Sequence, residues 1–86
     1  MPEISRFLGI VIAMFYNEHR PPHFHAKYGE HQIVMNIETG DVMEGYFPTR
    51  ALGLVREWHS IHKGDLLENW RFVEGRKTLK KIAPLE

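Results

Sequence analysis

NEHRPPHFHAKYGEH, the sequence of residues 17–31, contains four of the six histidines of the chain and two consecutive prolines. Because proline cannot donate a hydrogen bond to a strand ladder, we expect a strand to begin only after Pro22. Residues 23–28 then alternate polar and apolar side chains, which is the period-two pattern of a half-buried strand. The residues of this strand predicted to face the core are Phe24, Ala26 and Tyr28.

The opposite, exposed face of the predicted strand carries His23, His25 and Lys27. Side chains two positions apart on a strand lie roughly 6.5–7 Å apart, so two imidazoles and an ammonium form a row. Cleavage of RNA at its 2′-hydroxyl needs a base, an acid and a cation, and this row supplies all three without a cofactor. We therefore predict His23, His25 and Lys27 as candidate catalytic residues. The candidate substrate-binding residues are Arg20, Tyr28 and Arg50.

A metal site is the alternative interpretation of the same histidines. His19, His23 and His25 have the spacing H-x3-H-x-H, and neutral imidazoles suit zinc or nickel. Two histidines on one strand face rarely converge on one ion, so a loop residue such as His19 has to close the site. No carboxylate is placed nearby by spacing alone, although Glu18 and Glu30 flank the histidines. A third interpretation is that these are merely polar residues on a solvent-facing strand.

The segments on either side of residues 17–31 predict further strands. Phe7–Tyr16 is apolar on both faces, which is typical of a strand covered on both sides. Gln32–Glu38 and Val42–Phe47 follow after short turns that contain Gly29 and Gly40. Because every connection is short, a four-stranded antiparallel meander is the simplest topology.

After Pro48 the apolar residues recur at helical spacing, with Thr49 as the expected N-cap and Gly75 at the end. Gly64 interrupts this segment at a cost of roughly 1 kcal/mol. One broken helix or two consecutive helices would fit, and we expect two, because one helix of about 26 residues would be ~39 Å long. The prediction is an α+β fold in a single domain, residues 1–86, with a sheet in 1–47, helices in 48–75 and a basic and apolar tail in 76–86.

Composition limits the class of protein. With 43% hydrophobic and 26% charged residues, the chain is globular rather than disordered. The absence of cysteine excludes disulfides, thiolate zinc sites and cysteine nucleophiles, and it favours a reducing compartment. Phe7–Tyr16 is about half as long as a membrane-spanning helix. We therefore expect a cytoplasmic protein that does not enter a membrane.

The charge is unevenly distributed along a chain whose formal net charge is zero. Residues 1–45 carry three basic and six acidic side chains, and residues 46–86 carry eight basic and five acidic ones. The basic half would suit phosphates or an acidic partner, although a solvated helix surface is the simpler interpretation. The first predicted strand, apolar on both faces, needs cover on both sides, which predicts a homo-oligomer or a heteromer.

Three segments together resemble a known bacterial family, catalogued as domain of unknown function 4160. They are MPEISRFLGIVIAMFYNEHRPPHFHAKYGEH (1–31), IETGDVMEGYFPTRAL (37–52) and LLENWRFVEGRKTLKKIAPL (66–85), and PPHFHAKYG is the most specific motif. The resemblance covers essentially the whole chain. It implies a small cytoplasmic bacterial protein encoded beside a second small protein, of the domain of unknown function 2442 family. It assigns no catalytic residues.

Gene pairs of this kind resemble toxin–antitoxin modules. The resemblance therefore implies a component of such a module, with a small cognate protein as its partner. Combined with the histidine row, this predicts a protein that acts on RNA. A non-catalytic interaction or regulatory module, which binds a protein or a nucleic acid, and a histidine-based metal-binding domain are the alternatives. The residues leave open whether the protein is an enzyme.

Overall fold

The computed structural model describes residues 2–85, in which five strands precede one helix. The elements are β1 (Glu3–Phe7), β2 (Ile10–Ala13), β3 (His23–Tyr28), β4 (His31–Asn36), β5 (Val42–Gly45) and α1 (Thr49–Glu74). The strands form one antiparallel sheet in the order β1-β2-β3-β4-β5. The predicted α+β class and the antiparallel meander are confirmed.

The predicted number of four strands is wrong, because the predicted strand Phe7–Tyr16 contains a turn. Leu8 and Gly9 both have positive φ, 50° and 83°, as in the two-residue type I′ turn of a hairpin. β1 and β2 pair across this turn, with Arg6 opposite Val11. The apolar run hid the turn, since Leu-Gly is not the Asn-Gly or Asp-Gly pair that marks such hairpins.

One face of the sheet packs against α1 and forms the core. Phe24 in β3 is fully buried, and its ring centre lies 5.8 Å from that of Trp58 in α1. Ala26 is also buried, so the predicted orientation of β3 is confirmed at both positions. Tyr28 differs, because it lies at the rim of the sheet beside Phe47 and is 38% exposed. The other large, fully buried strand residues are Ile4, Ile10, Ile12, Ile33, Met35 and, just after β4, Ile37.

α1 bends at His62, whose backbone angles, φ −111° and ψ 19°, are not helical. The structure has one bent helix, which was the alternative to the two helices that we expected, and the bend is not at Gly64 as predicted. The bend falls earlier because His62 packs between Trp58 and Asp65, and these contacts override the local preference of a glycine. The longest dimension of the domain is 34 Å, whereas a straight helix of 26 residues would be ~39 Å long.

The two ends of α1 differ from each other in how they are capped. Pro48 occupies the N-cap position and Thr49 is the first helical residue, so the prediction of Thr49 as N-cap is wrong. Proline fixes φ at a value suited to entering a helix, and no side chain caps this end. Gly75 follows the last helical residue, as predicted, and the chain then reverses at Arg76, whose φ is 54°.

Residues 77–85 pack back onto the domain. The sequence alone left open whether this tail would pack or extend into solvent. Ile82 is buried, and its N–H donates to the carbonyl oxygen of Ile4 in β1 at 2.8 Å. The indole N–H of Trp58 donates to the carbonyl oxygen of Ala83 at 2.9 Å. The tail therefore joins the first strand to the helix.

Candidate functional site

Three polar side chains meet where the loop before β3 passes the beginning of that strand. Glu18 belongs to the loop, and His23 and His25 belong to β3. Glu18 Oε1 lies 2.5 Å from His25 Nε2 and 3.6 Å from His23 Nε2. One potential ligand atom from each residue lies within 4.8 Å of the other two. The loop thus adds a carboxylate to the two strand histidines, and we refer to these three residues as the Glu-His-His cluster.

His23 is held in one orientation by the backbone and by a tryptophan. Its Nδ1 lies 2.7 Å from the carbonyl oxygen of Pro21, which can only accept, so Nδ1 carries the proton and donates. A neutral His23 therefore presents an unprotonated Nε2 to Glu18. Its ring is 8% exposed and packs 5.2 Å from the ring centre of Trp70. A histidine whose second nitrogen donates to a carbonyl group is the usual arrangement for a metal ligand.

His25 lies on the sheet face that α1 does not cover. Its Nε2 donates to Glu18 Oε1, because an ionised carboxylate can only accept. The ring is in edge contact with Phe15, with ring centres 4.7 Å apart, and the side chain is 31% exposed. The two histidine ring centres are 5.6 Å apart. His25 is therefore the member of the cluster that is most accessible to a ligand.

The cluster favours the ionised form of Glu18. Partial burial acts to raise the pKa of this carboxyl group. The hydrogen bond from His25 and the positive charge that each imidazole carries when protonated together outweigh burial, and the pKa of Glu18 lies below its ordinary value. Glu18 is thus a carboxylate at neutral pH, the form in which it binds a cation.

A buried hydrogen-bond donor lies next to the cluster. The indole N–H of Trp70, which packs against His23, has no hydrogen-bond partner among residues 2–85. An unsatisfied buried donor costs about 1–3 kcal/mol. A water molecule or an anion bound beside His23 would supply an acceptor for it.

Two of the three residues predicted as catalytic belong to the Glu-His-His cluster. His23 and His25 belong to the cluster, whereas Lys27 is exposed, further along the same face of β3. The expected exposure of His23 is wrong, because Trp70 covers its ring. Alternation along a strand identifies the face on which a side chain lies, but it does not reveal what covers that face.

Two of the three residues predicted to bind substrate line one hollow, and the third lies elsewhere. Arg20 is exposed and forms an ion pair with Glu74 of α1 at 2.9 Å. Tyr28 and Arg50 instead line a hollow of about 380 Å³ at the beginning of α1. The cluster of potential ligands contains neither of these residues nor Arg20.

Glu18 replaces the histidine that we expected to close a metal site. His19 is exposed and is not part of the cluster, whereas Glu18 contacts both strand histidines. Sequence reasoning named Glu18 only as a neighbour of the histidines. Two prolines separate it from β3, and no periodicity relates a residue in such a loop to a strand. The sequence does place Glu18 next to His19, but adjacency does not indicate which of these two side chains turns towards the strand histidines.

A five-stranded antiparallel meander, covered on one face by a bent helix and carrying a Glu-His-His cluster at its third strand, defines a class of small α+β domain. The chain belongs to the family described as Domain of unknown function (DUF4160), whose model matches residues 9–71. The resemblance noted from the sequence is thus confirmed. The match includes the cluster but not β1 or residues 77–85. No curated protein and no solved structure matches the chain.

No helical segment of residues 2–85 combines the length and the apolar composition that a membrane crossing requires.

Proposed function

We propose that this protein is a metal-binding domain that holds zinc, or a similar divalent transition metal, at Glu18, His23 and His25. The observation that carries the proposal is the convergence of three potential ligand atoms within 4.8 Å of one another. Two imidazoles and one carboxylate are a recurrent ligand set of catalytic zinc, in which the fourth position is free for water or substrate.

The two distances from Glu18 to the histidines suit a zinc ion after small movements. Zinc binds nitrogen and carboxylate oxygen at about 2.0–2.2 Å, so two ligands of a tetrahedral ion lie about 3.3 Å apart. Glu18 Oε1 is 3.6 Å from His23 Nε2 and 2.5 Å from His25 Nε2. The first distance is close to the required value, and the second has to widen by less than ~1 Å. Zinc would replace the proton that His25 now shares with Glu18.

The surroundings of the cluster reduce the cost of forming the site. The carbonyl group of Pro21 already fixes the ring of His23 in the orientation that a ligand needs. Phe15 and Trp70 flank the two imidazole rings and limit their movement. Ligands that are already oriented lose little conformational entropy on binding.

A metal at this position would supply a hydrolytic chemistry. A zinc-bound water has a pKa lowered to about 7 and is a nucleophile at neutral pH. Metal-free cleavage of RNA by His23, His25 and Lys27 stays a prediction, as do the toxin–antitoxin module, its cognate partner and the cytoplasmic location. Treatment with EDTA distinguishes the two chemistries. The metal-free reaction would survive it, and the metal-dependent reaction would not.

The test is metal content and zinc affinity of the protein purified without an affinity tag. We expect close to one zinc or nickel per chain by mass spectrometry. After removal of the metal, isothermal titration should show one zinc site. Glu18→Gln and His25→Ala should each weaken zinc binding at least ~10-fold, the lower end of the effect of disturbing a metal site.

His19→Ala is the matched control, because it removes the neighbouring histidine outside the cluster. This variant should bind zinc like the unmodified protein. If the unmodified protein neither contains nor takes up a metal, the proposal fails. If His19→Ala loses zinc as severely as His25→Ala, the ligand set is the one predicted from the sequence.

A further inference from the structure

Apart from His23, against which Trp70 packs, the sheet face opposite α1 is not covered by any helix within residues 2–85. We call it the open face. Strand pairing arranges its side chains in two rows that run across the strands. The first row comprises Arg6, Val11, Lys27 and Gln32, and the second comprises Glu3, Ala13, His25, Val34 and Glu44.

Two charges of the open face have no opposite charge in contact. Arg6 and Glu3 pair with each other at 2.8 Å and so neutralise one another. Lys27 and Glu44 form no ion pair with any residue between positions 2 and 85. They lie two strands and one row apart, which corresponds to roughly 12 Å between their backbones.

Between these two charges the open face is hollow and partly apolar. One hollow, of about 110 Å³, is lined by Val11, Phe15 and Lys27 among others. A second, of about 170 Å³, is lined by Val34 and Glu44 among others. His25 and Gln32 line both. Such a surface can accept side chains from another molecule.

We propose that the open faces of two copies of this chain pack against each other and form a symmetric dimer. Lys27 and Glu44 lie on opposite sides of β4, in different rows. A two-fold axis that runs between the two faces and crosses β4 between Gln32 and Val34 exchanges their positions. Lys27 of each copy then meets Glu44 of the other, which produces two identical ion pairs.

The charge pattern is the reason to choose a second copy as the occupant. The open face carries one unpaired positive charge, on Lys27, and one unpaired negative charge, on Glu44. Its charge pattern is therefore complementary to that of a second copy rotated about the two-fold axis. Val34 and Gln32 lie near the axis, so each contacts its own counterpart. The two sheets cross at a steep angle, as in the orthogonal class of sheet packing. This inference does not depend on the proposed metal site.

The face is small, and the dimer should therefore be weak. Five short strands offer a small face, and interfaces below the standard size of about 1,600 Å² are typically transient, so we expect association in the micromolar range or weaker. Sedimentation of the full chain between about 5 and 500 μM covers this range. The expected result is a monomer–dimer equilibrium that weakens at high salt, since ion pairs contribute to it.

Charge reversal tests the geometry of the two ion pairs. Lys27→Glu and Glu44→Lys each place like charges opposite one another, so each variant alone should raise the dissociation constant at least ~10-fold. An equimolar mixture of the two variants should associate again, because a mixed dimer contains both ion pairs with their signs reversed. Arg56→Glu, on the exposed side of α1, is the control and should behave like the unmodified protein.

Three results would overturn the inference: a strict monomer at all concentrations, charge-reversed variants that associate normally, or a mixture that stays monomeric. Nonspecific association cannot explain a dimer in the mixture, since each variant alone fails to associate. One zinc per chain should still bind to Lys27→Glu and Glu44→Lys, because neither residue belongs to the cluster. A failure of the dimer is thereby distinguished from a failure of the metal site.

Discussion

His23 and His25 lie two positions apart on one strand and yet have different environments. His23 is buried against Trp70 and donates to a backbone carbonyl group, whereas His25 lies on the open face beside Phe15. Among residues 2–85, one carboxylate, that of Glu18, contacts both. At the scale of single residues, the cluster therefore combines a fixed imidazole, that of His23, with an accessible one, that of His25. A site that binds a metal and then exchanges a ligand would require both.

Gly45 is the glycine at which an added side chain would come closest to neighbouring backbone atoms. Its φ is 87°, and an added Cβ would lie 2.0 Å from the carbonyl oxygen of Gln32. Gly45→Ala should therefore lower the free energy of unfolding by at least about 2 kcal/mol, measured by urea denaturation.

Gly53→Ala is the matched control for that measurement. Gly53 lies inside α1, and an added Cβ would meet nothing within 4 Å. Because alanine is the better helix former, this change should raise the free energy of unfolding by about 0.5–1 kcal/mol. Equal effects of the two changes would contradict the conformation assigned to Gly45.

At the scale of elements, alternation and helical spacing were enough to predict most of the fold. They placed β3, β4, β5 and the helical segment within a few residues of their bounds. They missed the hairpin turn at Leu8-Gly9, since a leucine with positive φ carries no sequence signal. The same limit applies to the site, because Glu18 approaches the histidines through a folded loop rather than along a strand.

The bend in α1 gives a prediction about Gly64. The helix continues through this residue, and an added Cβ would meet nothing within 4 Å. Gly64→Ala should therefore raise the free energy of unfolding by about 0.5–1 kcal/mol. A loss of stability in urea denaturation would show instead that the bend at His62 depends on the flexibility of the glycine.

At the scale of the whole molecule, the segments at both ends of the chain complete the core around the family match. β1 and residues 77–85 lie outside the matched range of 9–71, and they contact each other through Ile4 and Ile82. The tail also accepts the indole hydrogen bond of Trp58, which is fully buried. The matched range therefore does not contain the complete core of this chain.

Ile82 is the main apolar contribution of the tail to the core. It is 5% exposed, and Ile82→Ala should lower the free energy of unfolding by about 2–5 kcal/mol because it leaves a cavity. Thr78→Ala, at an exposed position of the same tail, should change it by no more than about 0.5 kcal/mol. If the two variants unfold at the same urea concentration, the tail does not pack as described.

The tail also adds a pH-dependent contact through Lys80 and Asp65. The hydrogen bond from Lys80, at 2.8 Å, and then that from His62 lower the pKa of Asp65 below its ordinary value. The unfolded chain therefore binds more protons in acid, and the contribution of Asp65 is present at neutral pH and lost as the pH falls.

Asp65→Asn tests this contribution. The difference in unfolding free energy between the unmodified protein and the variant should be largest near pH 7 and should shrink between about pH 5 and pH 3. Urea denaturation at several pH values measures it. A difference that is constant with pH would show that the carboxylate does not contribute through its charge.

The hydrogen bond between Ile82 and Ile4 joins residues 78 positions apart in the chain, and this separation affects folding during translation. A ribosome adds about 5–20 residues per second, so Ile4 waits roughly 4–16 s for its partner to be synthesised. During that time β1 and the indole of Trp58 lack the contacts that the tail provides. The nascent chain therefore cannot complete its core until residue 82 has left the exit tunnel, and chaperones have that interval in which to bind it.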